Sequence, residues 1–345
     1  MDIRPLRALL LTDDKPGHYL RSEGILAAIA RKRPVEMLRV PIRRRRLTPA
    51  GMLQSLVNLG APPSLILRLG YGLDAGSLPK ADLVISAGGN TLAANAAAAA
   101  QFGVPNIFYG RLRQLAPAKV RVVVVPYESF AQLPNHLIAL PPSAVEPTVR
   151  RNGNVAFSRT SPPELVGVLV GGDSGTLRFT SAEWQALIAF LESAHGTHGM
   201  RWLVTTSRRS GEIITRSLNE LAAFRAGGID RFTAYERGSS GTVGEVLSAA
   251  DAILVTDDST SMIAEAVSAQ LPTVGLVPAD SRHEHGEAEF RAFVASEGWY
   301  RPLAIAHLSP DAFIDALAEI RPRKLSALDE LAEALKERLP DLFAR

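Results

Sequence analysis

The chain has 345 residues, of which 46% are hydrophobic and 21% are charged, and its formal net charge is +3. This composition is typical of folded globular proteins, and the length favours two domains of about 150 residues over a single one. The absence of cysteine excludes disulfides, thiolate metal sites and a cysteine nucleophile.

Neither the N-terminus nor any apolar run has the features of a membrane segment. Met1–Pro5 carries an acid and a proline where a signal peptide has a basic start, and the apolar run Ala8–Leu11 ends at Thr12, so we interpret it as a strand. Leu92–Ala100 is interrupted by Asn95 and is far shorter than the roughly 18 apolar residues of a membrane span. We expect a cytoplasmic protein, and leave peripheral attachment to the inner face of the membrane as an open alternative.

Basic residues cluster in the first fifth of the chain, at Arg39, Arg43, Arg44, Arg45 and Arg46. Arginine clusters bind phosphate, either in nucleic acid or on an anionic bilayer. Aromatic residues that would stack on bases are missing around this cluster, so we expect no nucleic-acid partner. Two interpretations stay open, a solvated loop and a contact of the run 43–46 with an anionic membrane surface.

The first half alternates short apolar runs with helix-like segments. The predicted strands are Ala8–Leu11, Val35–Val40, Ala81–Ser86, Asn106–Tyr109 and Val120–Pro126. The predicted helices are Leu20–Arg31 and Thr91–Phe102. This alternation predicts a parallel sheet covered on both faces, with ligand-binding loops after the strand ends.

A second unit of the same kind follows a stretch rich in proline, asparagine and arginine. Its predicted strands are Leu165–Val170, Arg201–Thr205, Ile253–Thr256 and Thr273–Val277, and its predicted helices are Ser181–Ala194, Glu212–Phe224 and Ser261–Ala269. Leucines at positions 325, 328, 331, 335 and 339 predict a last helix that packs one face against a core. We therefore predict an N-terminal domain over 1–145, a linker over 146–163, a C-terminal domain over 164–320 and a C-terminal helix over 321–345.

The loop after the first predicted strand is dense in reactive groups: Asp13, Asp14, Lys15, Gly17 and His18. A carboxylate or an imidazole at the end of a strand can take a proton from an acceptor hydroxyl, and the sequence leaves Asp13, Asp14 and His18 all open as the catalytic base. Lys15 would neutralise charge, and Gly17 would let a ligand approach the backbone. A Pro-Gly turn with an aspartate cap is the structural alternative.

Two glycine-rich loops follow other predicted strands. The first consists of Gly88, Gly89 and Asn90, and the second of Gly171, Gly172, Asp173 and Ser174. Their backbone amides could meet a phosphate, although paired glycines also suit an ordinary strand-to-helix turn. The second loop has neither the Gly-Lys-Ser/Thr of a Walker loop nor the G-x-G-x-x-G spacing of a dinucleotide fold.

Two further loops in the second half favour an anionic ligand. Thr206, Ser207, Arg208 and Arg209 combine hydroxyls with the forked donors of two guanidiniums, which suits a phosphate, whereas a structural cap would need only one hydroxyl. The next loop leads into a helix whose free amides attract an anion, through Asp258, Ser259, Ser261 and Met262. Glu265 lies one turn further on the same face as Ser261, within reach of the two hydroxyls of a ribose. A well-capped helix with a surface glutamate is the alternative.

In order along the chain, these motifs resemble those of the plant "elongated mitochondria" fission proteins and their bacterial relatives, regarded as GT-B glycosyltransferases. The resemblance is carried by Asp13-x-Lys15-Pro16-Gly17-His18, Gly171-Gly172, Thr205-Thr206-Ser207-Arg208-Arg209, Val255-Thr256-x-Asp258-Ser259-x-Ser261-Met262-x-x-Glu265-Ala266 and Gly298-x-x-Arg301-Pro302. It implies two Rossmann-like domains facing a cleft, and a nucleotide sugar held by the C-terminal domain with its ribose on Glu265. The acceptor would face the first domain.

The sequence also departs from the family pattern. Asp14 stands where the family often has glycine, residues 234–242 lack an Asn-Pro-Tyr, and Glu289-Phe290 replaces a Lys-Phe pair. These departures bear on the identity of the donor more than on the fold.

The resulting expectation is a metal-independent transferase that moves a sugar from a nucleotide-sugar substrate to an envelope or lipid-linked acceptor. Helix amides and basic side chains would stabilise the departing diphosphate without a cofactor. A non-catalytic peripheral membrane or partner-binding protein and a nucleotide-sugar epimerase are the alternatives. The pairs His195/His198 and His283/His285 match no common zinc spacing, so we expect solvated loop histidines and no metal. The sequence indicates no oligomeric state.

Overall fold

A computed structural model describes residues 4–144, 156–175, 177–224, 226–235 and 242–344. The chain divides into two compact units, which we call unit 1 (residues 1–144 and 325–345) and unit 2 (residues 145–324). Each unit contains a six-stranded sheet, and its paired strands are parallel. The prediction of two α/β units with parallel sheets is confirmed.

Unit 1 alternates strands and helices along most of its length. Its strands are β1 (Leu6–Thr12), β2 (Val35–Pro41), β3 (Leu83–Ala87), β4 (Asn106–Tyr109), β5 (Val122–Val125) and β6 (His136–Ile138). Its helices are α1 (Pro16–Ala30), α2 (Ala50–Asn58), α3 (Pro63–Tyr71), α4 (Leu92–Phe102), α11 (Ala327–Arg338) and α12 (Pro340–Phe343). The strand order is β2-β1-β3-β4-β5-β6.

Unit 2 repeats this arrangement with a different strand order. Its strands are β7 (Leu165–Val170), β8 (Arg201–Thr206), β9 (Ile229–Thr233), β10 (Ala252–Thr256), β11 (Thr273–Val277) and β12 (Tyr300–Ala304). Its helices are α5 (Ser181–His198), α6 (Glu212–Ala223), α7 (Thr242–Ala249), α8 (Thr260–Ser268), α9 (His285–Ser296) and α10 (Pro310–Glu319). The order is β12-β11-β10-β7-β8-β9.

The sheet of unit 1 is buried on both faces, and β1 shows why. Leu9 and Leu11 point into the core beneath α2, α3 and α4, whereas Ala8 and Leu10 point into the core beneath α1 and α11. Successive strand residues face opposite sides of a sheet, so a strand covered on both sides is apolar throughout.

The C-terminal helix α11 belongs to unit 1 and packs on α1. Leu328, Leu331 and Leu335 are buried in the same core as Ile25 and Ile29 of α1. Leucines three and four residues apart lie on one helical face, which explains this packing. The prediction for position 325 is wrong, because Leu325 precedes the helix and is exposed.

Part of the predicted linker belongs to the second unit. Phe157 is buried in the core of unit 2, and Arg159 forms hydrogen bonds with Asp311 and Asp315 of α10 at 2.8 and 2.9 Å. Residues 145–155 of the predicted linker, and residues 236–241 of the segment without Asn-Pro-Tyr, lie outside the described residues.

Candidate functional site

The strand order of unit 2 places three of the predicted loops together. The order reverses between β7 and β10, and ligands of open parallel sheets bind at the carboxyl ends of strands next to such a switch point. The loop after β7 begins at Gly171 and the loop after β10 begins at Asp257, while the loop after the neighbouring β8 contains Arg208 and Arg209.

Asp258 is the centre of this arrangement. Its side chain is fully buried and accepts two hydrogen bonds from the Arg209 guanidinium, with the Arg209 Nε at 2.8 Å. The Thr256 hydroxyl donates to Asp258 at 2.7 Å and itself accepts the Gly171 amide at 2.6 Å. Burial raises the pKa of Asp258, and the charge of Arg209 and the hydrogen bonds from Thr256 and Gly172 offset part of that rise.

The paired glycines after β7 are required by close packing. A Cβ atom on Gly171 would lie 2.0 Å from Asp258 Oδ1, and one on Gly172 would lie 2.0 Å from the Arg209 carbonyl oxygen. Ser210 holds the two loops together, since its hydroxyl is 2.7 Å from the Val170 carbonyl oxygen and 2.6 Å from that of Gly171. The glycines therefore fix the loops to one another.

Four other predicted ligands have structural partners. Asp173 accepts the Phe179 amide at 3.0 Å, and Ser174 pairs with Leu177 across a tight turn. Thr206 accepts the Tyr235 amide at 3.0 Å, and Ser207 accepts the Arg209 amide at 3.1 Å. These contacts, which for Ser174 involve the backbone, shape the loops around the switch point.

Arg208 differs from its neighbour. Its side chain is exposed and makes no hydrogen bond or ion pair with any described residue. The two arginines thus separate into a structural one, Arg209, and one that is available to a ligand, Arg208.

The N-terminus of α8 offers free donors beside this cluster. Ser259 caps the helix by accepting the Met262 amide at 3.3 Å. The amides of Thr260 and Ser261 have no hydrogen-bond acceptor among the described residues, as expected for the first turn of a helix. Glu265 lies one turn later and is 8% exposed, so the alternative of an ordinary surface glutamate is wrong.

A buried network next to the α8 N-terminus was missed by the sequence analysis. Asp257 accepts from Arg291 Nε at 2.9 Å, from His283 Nε2 at 2.7 Å and from the Tyr300 hydroxyl. Arg291 also donates to the Thr260 hydroxyl at 3.1 Å, which ties α9 to α8. Burial, together with the charge of Asp257 and its hydrogen bond, raises the pKa of Tyr300 well above its ordinary range.

The expectation of solvated loop histidines is wrong for all four, although His285 is exposed. His283 is largely buried against Asp257, and His195 and His198 lie within α5, where His195 contacts the Met200 carbonyl oxygen at 2.8 Å. His285 is the exposed first residue of α9. Across the described residues, no three His, Cys, Asp or Glu side chains are grouped so that they could hold a metal ion.

Unit 1 has its own switch point, between β1 and β3. Asp13, buried at the end of β1, accepts a hydrogen bond from His18 Nδ1 at 2.8 Å and the Lys15 amide at 3.3 Å. Gly88 lies against this pair with a φ of +83°, and a Cβ atom there would be 2.2 Å from His18 Nδ1. The loops after β1 and β3 therefore meet at His18.

The helix after β1 begins earlier than the sequence analysis expected. It starts at Pro16 instead of the predicted Leu20, because proline is favoured at the first helical position, where no amide hydrogen is needed. Gly17 and His18 thus lie in the first turn of α1. Asp14, Lys15 and Gly17 are exposed.

The β3–α4 loop is held from the other side by basic residues. The Arg44 Nε is 3.5 Å from Asn90 Oδ1, and a Cβ atom on Gly89 would be 3.0 Å from Arg113 Nε. The Tyr71 hydroxyl donates to the Asn90 carbonyl oxygen at 2.9 Å. Burial raises the pKa of Tyr71 to about 12.

Each unit has a parallel sheet with polar loops at its switch point, and a chain of two such α/β units has a GT-B-like fold. The UDP-GlcNAc 2-epimerase of Methanocaldococcus jannaschii is similar in fold, with a TM-score of 0.56, 11% identity, and coverage of 97% of this chain and 100% of that one. A Listeria monocytogenes protein assigned as UDP-N-acetylglucosamine 2-epimerase has the same TM-score at 12% identity, with 98% of each chain covered. These likenesses concern the fold alone.

The family is identified by the sequence. The family model described as "Mitochondrial fission ELM1" matches residues 16–339, nearly the whole chain. The chain belongs to this family, and the resemblance found in its motifs is confirmed. No curated protein matches the sequence significantly.

None of the helices in the described ranges combines the length and hydropathy that crossing a bilayer requires.

Proposed function

We propose that the protein transfers a sugar from a nucleotide-sugar donor, bound at the switch point of unit 2, to an acceptor hydroxyl. The observation that carries this proposal is a set of donors there that have no partner in the described part of the chain: the Arg208 guanidinium and the amides of Thr260 and Ser261, beside loops fixed by Asp258. Free amides at a helix N-terminus and an available guanidinium are suited to a diphosphate.

The same groups would stabilise the leaving diphosphate. When the bond between the anomeric carbon and the diphosphate breaks, its electron pair passes to a phosphate oxygen, and negative charge develops near Arg208 and the α8 N-terminus. Preorganised donors in a site of fixed geometry stabilise such charge without reorganisation. Glu265, one turn along α8 from Ser261, would accept the ribose hydroxyls. The proposal includes no metal.

The acceptor would be activated in unit 1 by His18. Its Nδ1 contacts the buried carboxylate of Asp13, so Nδ1 carries the hydrogen and Nε2 remains to accept a proton. His18 Nε2 would take the proton of the acceptor hydroxyl as its oxygen bonds to the anomeric carbon. In this proposal His18 is the catalytic base, Asp13 is a positioning residue, and the exposed Asp14 takes no part in proton transfer.

The first test is isothermal titration calorimetry of the purified protein against UDP-, GDP-, CMP- and TDP-sugars. We expect one class of donor to bind, and R208A to weaken that binding at least tenfold, since hydrogen bonds to charged groups contribute about 1.5–3 kcal/mol. The control R321A removes another exposed arginine of unit 2. The absence of binding to every donor class would refute the proposal.

A second test separates the transferase from its alternatives. Product analysis with donor alone would reveal an epimerase, because that reaction needs no acceptor. Binding of a donor that is never converted, with lipid-linked or envelope acceptors present, would instead support a non-catalytic member of the family. Transfer that requires an acceptor and is lost in H18A, with donor affinity unchanged, is the outcome the proposal predicts.

A further inference from the structure

Residues 42–73, between β2 and Asp74, form a segment of unit 1 in which all charged side chains are basic. The segment contains five arginines and no acidic residue, in a chain whose net charge is only +3. Some arginines elsewhere in the unit have acidic partners, such as Arg7 beside Glu36 and Arg39 beside Glu23. The absence of acids from 42–73 concentrates positive charge on one part of the surface.

The loop of residues 42–49, which we call the arginine loop, packs against the C-terminal turn of α3. The Arg45 amide donates to the Gly70 carbonyl oxygen at 2.8 Å, and the Thr48 hydroxyl donates to that of Leu69 at 3.4 Å. Leu47 lies between these two anchors and is 97% exposed. The loop and α3 therefore present one continuous surface.

Helix α3 contributes apolar and basic side chains to this surface. Leu65, Arg68 and Leu69 are exposed and lie on one face, since they are three and four residues apart. The opposite face buries Ile66 and Leu67 in the core. Exposed leucines beside arginines make an amphipathic surface on a rigid helix.

The arginines of this surface are available to a ligand. Arg43, Arg45, Arg46 and Arg68 form no side-chain hydrogen bond or ion pair with any residue in the described ranges. Arg44 differs, because its guanidinium bonds to the Thr48 carbonyl oxygen and faces Asn90.

We propose that this arginine–leucine surface docks onto an anionic lipid bilayer, with the arginines on the headgroups and Leu47, Leu65 and Leu69 in the acyl boundary. Basic residues are attracted to the surface potential of anionic lipid, and exposed leucines gain free energy by leaving water. Nucleic acid fits less well, because Tyr71 is the one aromatic residue of the segment and is buried.

The arginine–leucine surface adjoins the β3–α4 loop. Tyr71 at the end of α3 and Arg44 in the arginine loop both contact Asn90, and Gly88 of the same loop contacts His18. Docking would therefore hold His18 close to the lipid headgroups. If the proposed transferase function holds, the acceptor is a lipid-linked molecule that stays in the bilayer. Membrane docking itself does not depend on that function.

The test is flotation of the full chain with phosphatidylcholine vesicles, with or without phosphatidylglycerol, in the absence of nucleotide sugar. We expect binding that requires the anionic lipid and weakens as salt rises. R43Q/R46Q should weaken it about 30-fold, since each arginine near the surface contributes about 1 kcal/mol. L47S/L69S should weaken it at least tenfold, because two apolar side chains would no longer leave water on docking.

Matched controls remove the same groups elsewhere. R121Q/R321Q removes two exposed arginines, and F224S/L325S removes two exposed apolar side chains; both should bind as wild type. Equal binding to neutral and anionic vesicles, no binding, or full binding by either test variant would overturn the proposal. A dimer in solution that L47S/L69S dissociates would assign the surface to a second copy and also overturn it. Failure of sugar transfer leaves these outcomes unchanged, so the two proposals fail separately.

Discussion

Replacing each of the two adjacent arginines of the β8–α6 loop should have different consequences for stability. Arg209 is held by Asp258, whereas Arg208 is exposed and has no partner among the described residues. R209A should therefore destabilise unit 2 and change donor affinity through the displaced loops. R208A should leave stability unchanged and lower donor affinity alone.

The size of the effect of R209A follows from the burial of its partner. Removing one member of a fully buried ion pair costs about 3–5 kcal/mol, because a charge is left without compensation. Arg209 is 33% exposed, so water can replace part of its interaction, and Asp258 keeps the Thr256 hydroxyl. We expect a loss of about 2 kcal/mol for R209A and less than about 0.5 kcal/mol for R208A.

Tryptophan fluorescence during urea unfolding provides the measurement. All three tryptophans, Trp184, Trp202 and Trp299, lie in unit 2, so the signal reports that unit. With a slope of about 1–3 kcal/mol per molar urea, R209A should lower the midpoint by roughly 1 M. Equal midpoints for R209A and R208A would refute the structural assignment of Arg209, and normal donor affinity in R208A would refute that of Arg208.

Three further substitutions test other contacts. Burial raises the pKa of Asp258 above its ordinary 3.8, so the folded state binds that proton more tightly than the unfolded state does. The stability of wild type relative to D258N should therefore fall as pH rises from 3.8 through the folded-state pKa. A relative stability that rises with pH would contradict this. G171A should lower the unfolding free energy by about 1–3 kcal/mol, since its Cβ would overlap Asp258. A Cβ at Gly196 in α5 would meet open space, so G196A should raise the unfolding free energy by up to about 1 kcal/mol. The midpoints of urea unfolding test both expectations. D13N should slow transfer about 100-fold with calorimetric donor affinity unchanged, and a normal rate would show that His18 needs no orienting carboxylate.

The sequence predicted which loops are polar, but not which of them meet. Strands and the loops after them follow from local apolar runs and turn residues, so Asp13, Gly88, Gly171 and Asp258 could all be assigned to strand ends. Their contacts depend on strand order, which local patterns do not determine. Parallel pairing of β7 with β10 joins Gly171 to Asp258 across 87 positions of sequence.

The Asp257 network shows what kind of site residue local sequence patterns do not reveal. Asp257 lies beside Asp258 in the sequence, yet its partners His283, Arg291 and Tyr300 come from the β11–α9 loop, α9 and β12. None of these belongs to a motif with fixed spacing. One signal was present: Gly275 lies within a strand, where glycine often marks a close approach, and a Cβ atom there would be 1.7 Å from the Tyr300 hydroxyl oxygen.

The structure also changes which residues support a diphosphate site. Gly171 and Gly172 suggested backbone exposed to phosphate, but their neighbours Asp258 and Arg209 occupy the space that a side chain would fill. Their identity as glycine is explained by this packing whether or not a ligand binds. Diphosphate binding therefore depends on donors that have no partner among the described residues, the Arg208 side chain and the first amides of α8. A donor-bound protein in which those groups stay in solvent would place the diphosphate elsewhere, even with Asp258 and Arg209 unchanged.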